Sequence, residues 1–235
     1  MKIKLTWQYI AAFFALNMIM GELHEQAHIT TGYFICGCYG PRDFNVWSTC
    51  EQCSNASWAF LATLAGPLFS CILMWMGALW FCKSSNSNKR SLGFSLLFAN
   101  LPFARVFTAV TGGGDEKVVI RFLLGENAPL ILAKLIAVLI VGLICIPPVI
   151  MVFKRLANSN RAWILTGFLV IPLLYGMLYQ RLLLNQFLHM GLGTHISILG
   201  TPDLVVIHFV LMLLLLLRFW KRIIQAFFLT VHGLA

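Results

Sequence analysis

The chain is dominated by long apolar runs, and these limit what it can fold into. Six segments reach or approach the ~20 residues that an α-helix needs to cross a bilayer. They lie at about 5–28, 56–82, 92–111, 129–153, 162–182 and 204–227. The expected fold class is therefore all-α: a polytopic membrane protein of about six transmembrane helices. Composition agrees, with 60% hydrophobic and 11% charged residues, against roughly 25% charged in a soluble domain. A net charge of +9 would suggest nucleic acid in a soluble protein. Here the charges flank the apolar runs, so no nucleic-acid partner is expected and the charge speaks to topology.

Lys2 and Lys4 precede the first run in the manner of a signal peptide. No small-x-small cleavage site separates that run from the next motif, and an uncleaved first helix is expected. The third run contains Asn100, Pro102 and Arg105. Such residues are tolerated at membrane depth where a helix is enclosed by protein or lines a wet cavity, which makes this segment an interior element. With the N-terminus inside, the inner loops and ends collect Lys2, Lys4, Lys83, Lys89, Arg90, Lys154, Arg155, Arg161, Arg218, Lys221 and Arg222. The outer loops collect Arg42, Lys117, Arg121 and Arg181. That bias predicts six spans in a plasma or inner membrane with both termini cytoplasmic. The chain divides into a core at 1–128, with an outer Cys-rich loop at 29–55, and three further transmembrane helices at 129–235.

At the end of the first run, Gly21-Glu-Leu-His-Glu-Gln-Ala-His28 contains His-Glu-x-x-His. A spacing of four puts His24 and His28 on one helical face, about one turn apart, where two imidazoles can hold one Zn²⁺. Glu25 beside them can take a proton from metal-activated water and return it to a leaving amine. Ionisable residues within an apolar helix are costly and usually functional, which favours a metal site over a chance pattern. A catalytic zinc needs a third protein ligand. Thr111-Gly-Gly-Gly-Asp-Glu116 follows the third run on the outer side, where His28 also ends. Its glycines allow a sharp turn, so Asp115, or alternatively Glu116, can reach the metal. His189 and His195 rank below them as loop histidines.

Cys36, Cys38, Cys50 and Cys53 form Cys-x-Cys and Cys-x-x-Cys pairs in the outer loop. An outer location favours two disulfides, with connectivity open, over a closed structural zinc site. Cys71, Cys82 and Cys145 read as buried packing residues. Arg105 is expected to pair with an acid such as Glu22 or Glu116. Gln180, Asn185 and Gln186 read as helix-contact residues. Pro147-Pro148 is expected to kink the fourth span.

His24-Glu-Gln-Ala-His28, Ala65-Gly-Pro-Leu68, Asn100-Leu-Pro102 and Gly114-Asp115, in that order, resemble the site-2 protease family of intramembrane metalloproteases. The resemblance covers about residues 5–120. It implies a catalytic core in the first three helices, with His24, His28 and Asp115 as zinc ligands and Glu25 as the acid/base. It also implies that Asn100 positions substrate and that the substrate is an unwound transmembrane or membrane-associated protein segment. The family often carries Leu-Asp-Gly close behind its proline, whereas Asp115 lies thirteen residues after Pro102. Charge bias also sets this motif toward the outer face. The expected function is a zinc metalloendopeptidase of the His-Glu-x-x-His type acting within the bilayer. The alternatives are another zinc-dependent membrane hydrolase, or a non-catalytic metal transporter or sensor. Oligomeric state is left open.

Overall fold

The computed structural model describes residues 1–53, 57–125 and 127–228. The predicted loop and second segment run through residues 54–56, and the two predicted divisions through 126 and 229–235, which lie outside the described residues. The chain begins with a two-residue strand, β1 (Lys2–Ile3), then α1 (Trp7–Cys36), α2 (Ala59–Lys83), α3 (Ser87–Ala99), α4 (Pro102–Thr111) and α5 (Asp115–Leu124). After these come α6 (Leu130–Arg155), α7 (Arg161–Tyr175), a π-helical turn (Gly176–Leu184), α8 (Asn185–His189), α9 (Asp203–Ile224) and β2 (Phe227–Phe228). The two strands pair antiparallel, Lys2 opposite Phe228 and Ile3 opposite Phe227.

Five helical stretches are long and apolar enough to cross a membrane: Ala59–Lys83, Ser87–Thr111, Leu130–Arg155, Arg161–His189 and Asp203–Ile224. The first predicted segment, α1, is longer at 30 residues but stands outside these five. Gln8, Asn17, Glu22, His24, Glu25, Gln26 and His28 dilute its apolar character. Among these, Asn17, Glu22, Glu25 and His28 are buried against neighbouring helices. Thr6 caps its start by accepting from the Tyr9 N–H, and Gly37 at φ 72° ends it.

On α6, side-chain size runs opposite to that of a soluble bundle. The buried stripe is Ala133, Ala137, Val141, Cys145, Pro148 and Val152, while Leu135, Leu139, Leu143, Ile146 and Ile150 point outward. Small residues let helices approach closely, and large apolar ones suit a lipid-facing surface. The closest approach joins α2 to α3. A β-carbon on Gly77 would lie 2.6 Å from the Gly93 carbonyl oxygen, and one on Gly93 would lie 2.8 Å from the Phe81 nitrogen. Only glycine admits that crossing.

One sequence expectation changes. The third segment is two helices, α3 and α4, broken at Asn100 and Leu101. Pro102 has no N–H and disfavours helix at the residue before it, and Leu101 turns to φ 56°, ψ 51°. The carbonyl of Ala99, freed by the break, accepts from Asn17 Nδ2 at 2.7 Å, and Asn17 Oδ1 accepts from the Tyr175 hydroxyl at 2.9 Å. By contrast, α6 runs as one helix through Pro147-Pro148. Pro148 cannot donate to Ile144, but the Trp75 indole N–H does so at 3.0 Å. A neighbouring helix thus replaces the missing hydrogen bond.

Candidate metal centre

His24 and His28 lie one turn apart on α1, with their Nε2 atoms 3.1 Å apart. The partner from outside the helix is Asp115, the first residue of α5. Its Oδ2 lies 3.5 Å from His28 Nε2 and 3.8 Å from His24 Nε2. The glycine turn brings it there. Gly112 and Gly114 have φ of 86° and 89°, values that strain any residue with a β-carbon. The chain thereby reverses within three residues and aims Asp115 back toward α1. Burial raises the Asp115 carboxyl, but hydrogen bonding to His24 and His28 outweighs it and holds the group well below the usual carboxylate range. The donor atoms of His24, His28 and Asp115 all fall within 4.8 Å of one another. Two imidazole nitrogens and one carboxylate oxygen at that spacing are a donor set that fits a divalent metal ion such as zinc.

The surroundings orient these ligands. His28 Nδ1 lies 2.7 Å from the Ala62 carbonyl, which can only accept, so the ring proton sits on Nδ1 and Nε2 presents a lone pair to the cluster. His24 Nδ1 faces Ser70 Oγ at 3.1 Å and Arg105 Nη2 at 2.8 Å. Of these two, only the hydroxyl can accept a proton from Nδ1. Trp47 lies nearly parallel to the His28 ring, with centroids 4.7 Å apart at 19°. Gly66, the glycine of Ala65-Gly-Pro-Leu68, is the point where α2 meets the ligands. A β-carbon there would overlap His28 Nε2 and lie 2.6 Å from His24 Cε1.

Glu25 stands beside the cluster, 8% exposed, and its Oε2 has no hydrogen-bond partner among the described residues. It borders a cavity of about 490 Å³ together with His24, His28, Asn100, Arg105 and Asp115. Asn100 is buried, donates Nδ2 to the Leu96 carbonyl at 2.7 Å and leaves Oδ1 without a partner among the described residues. Its free atom is therefore an acceptor.

The remaining sequence candidates separate. Glu116 pairs with Arg105 at 3.4 Å and stands outside the group formed by His24, His28 and Asp115. Glu22, the other acid proposed for Arg105, is bound by Arg42 in a bidentate pair at 2.7 and 2.8 Å. His195 meets Asp203 in an exposed loop contact, and His189 ends α8; neither joins the cluster. Cys36 lies at disulfide distance from Cys53, and Cys38 from Cys50. Cys82 and Cys145 are buried and Cys71 half-buried, all three unpaired by disulfides.

Several site residues had no local signal. Arg42 read only as an outer charge, Ser70 and Trp47 carried no motif, and Gln180 read as a helix contact although it lines the cavity. Searches against protein-family models, curated proteins and solved structures return no match for this chain.

Proposed function

We propose that this chain is a zinc-dependent intramembrane endopeptidase that cleaves an unwound segment of a membrane-associated or transmembrane protein. The observation that carries the reading is the convergence of His24, His28 and Asp115 with a buried, unpartnered Glu25 oxygen on one internal cavity. At about 490 Å³ that cavity lies within the ~300–1,000 Å³ of ligand sites.

His24, His28 and Asp115 would hold the ion, with the Ala62 carbonyl and Ser70 keeping the imidazoles in register. When bound, zinc supplies a Lewis acid that polarises a peptide carbonyl and makes water nucleophilic near neutral pH. Glu25 Oε2 takes the proton of the attacking water and delivers it to the departing amine nitrogen. Asn100 Oδ1 accepts a substrate N–H. The substrate must be unwound because a helix hides its backbone amides in its own hydrogen bonds.

Six spans fit this reading better than five. Strands β1 and β2 pair, so they share one face of the membrane and an even number of crossings lies between them; α1 would supply the sixth. The lysine and arginine bias favours the cytoplasmic side for that face. At ~1.5 Å per residue, His28 stands roughly 30 Å along α1 from Trp7, about one hydrocarbon thickness. The metal centre then sits near the outer leaflet, beside the disulfide loop.

The deciding experiment is elemental analysis of purified wild type beside Glu25→Gln, His24→Ala and Asp115→Ala, followed by peptide hydrolysis. About one zinc per chain is expected in wild type and Glu25→Gln, with loss in the other two and hydrolysis in wild type alone. Zinc content insensitive to His24, or hydrolysis that survives Glu25→Gln, overturns the proposal.

A further inference from the structure

The helix that starts at Arg161 changes its winding beyond Tyr175. Over Gly176–Leu184 it widens into a π-turn, and the Asn185 N–H reaches back five residues to the Gln180 carbonyl. π-turns are rare and occur mostly at functional sites. Five residues of α-helix turn through roughly 500°, which leaves the first and last roughly 140° apart. A turn closed over five residues instead stacks them close to one face.

Both ends of that turn are used. Asn185 is buried against the outer loop, accepting from the Phe44 N–H at 3.1 Å and donating Nδ2 to Asn45 Oδ1 at 2.7 Å. Gln180, one π-turn earlier, lines the metal-centre cavity together with Phe44, Asn45 and Trp47. The anchorage of Asn185 therefore fixes the register that presents Gln180 to the cavity.

The charges in the cavity are largely paired from within, Arg105 with Glu116 and Asp115 with the two imidazoles. Apart from Glu25 and the Arg105 Nε–H, which has no partner among the described residues, the polar groups left for a ligand are carboxamides: Asn100, with its buried free Oδ1, Asn45 and Gln180. A carboxamide carries two donors and an acceptor, the complement of a peptide group.

We propose that Gln180 is a substrate-positioning residue whose carboxamide hydrogen-bonds the backbone of an extended, uncharged peptide segment laid past the metal centre. The Asn100 Oδ1 accepts an N–H of the same segment from another helix. This rests on the peptidase reading above and names the chemical class of its substrate.

The test measures binding, in zinc-loaded Glu25→Gln protein, of a fluorescent acetyl-Ala-Val-Leu-hydroxamate whose hydroxamate seeks the metal. Each amide of the probe is replaced in turn by an ester, which removes one N–H and weakens one acceptor. Gln180→Leu is expected to weaken the parent probe about tenfold, the scale of one lost hydrogen bond at a buried site, while zinc content holds. One ester probe is expected to bind the parent and Leu chains equally. Gln180→Met, unbranched like glutamine, carries the same comparison if leucine disturbs the turn. Parent-probe affinity within twofold in both variants, with every ester costing the same in all chains, overturns the role of Gln180 and leaves the peptidase reading standing. Probe binding that does not depend on zinc overturns both.

Discussion

At Gly66 the ligand pair of α1 lies so close to α2 that a single added carbon would overlap His28 Nε2. Gly66→Ala is therefore expected to weaken zinc binding at least tenfold while helical content is retained, measured by zinc per chain and circular dichroism. Gly32 is the matched control, because a β-carbon there meets Ala62 and Trp47 at ordinary contact distances of 3.8 and 3.9 Å. Equal zinc content in the two alanine variants would mean that the approach of α2 does not shape the site. The Arg42–Glu22 pair is the other residue-scale dependency, with the Arg42 side chain fully enclosed. Removing one partner leaves a buried charge, so Arg42→Met is expected to cost about 3–5 kcal/mol, seen as a lower thermal midpoint. At this scale, legibility followed sequence distance. His24 and His28 were readable because one helical turn relates them. Asp115 and Glu116 were equally eligible in sequence, since the choice depends on two positive φ angles in the glycine turn. Arg42–Glu22 spans a disulfide-closed loop and left no local trace.

Among the elements, α6 shows how a membrane helix carries two prolines without breaking. Trp75 donates to the Ile144 carbonyl that Pro148 leaves open. Trp75→Phe should therefore lower stability by about 1–2 kcal/mol, and most of that loss should vanish in a Pro148→Ala background, where the backbone N–H returns. A denaturation double-mutant cycle measures this coupling; simple additivity would count against it. The help that Pro147-Pro148 receives from α2 was not legible, because a sequence pattern cannot show which side chain faces a carbonyl. The break at Asn100 was half legible, as Pro102 announced a boundary but not the left-handed Leu101. The π-turn carried no signature at all, since Gly176–Leu184 is apolar enough to pass for ordinary helix.

For the whole molecule, the disulfide loop is the tie between distant parts. It packs Trp47 on His28, clamps α1 through Arg42 and holds Asn185 at the end of the π-turn. Each disulfide closes a short loop, with sequence separations of 17 and 12 residues, a size worth about 3 kcal/mol in the chain-entropy picture. Reduction with a dithiol is expected to lower the thermal midpoint and to speed zinc transfer to a chromogenic chelator. Unchanged transfer rates would mean that the loop does not guard the centre. The all-helical class was legible because apolar length alone dictates it, whereas the loop's grip on the site depends on contacts far apart in the chain. The Gly77–Gly93 crossing bears on biogenesis. Ser87–Thr111 is the least apolar of the five membrane-length helices, with mean hydropathy 1.4, and the most enclosed, at 56% buried. Joined to α2 by only Ser84–Asn86 and pressed backbone to backbone against it, α3 can enter the bilayer paired with α2 as a hairpin, and the two glycines are what permit that pairing.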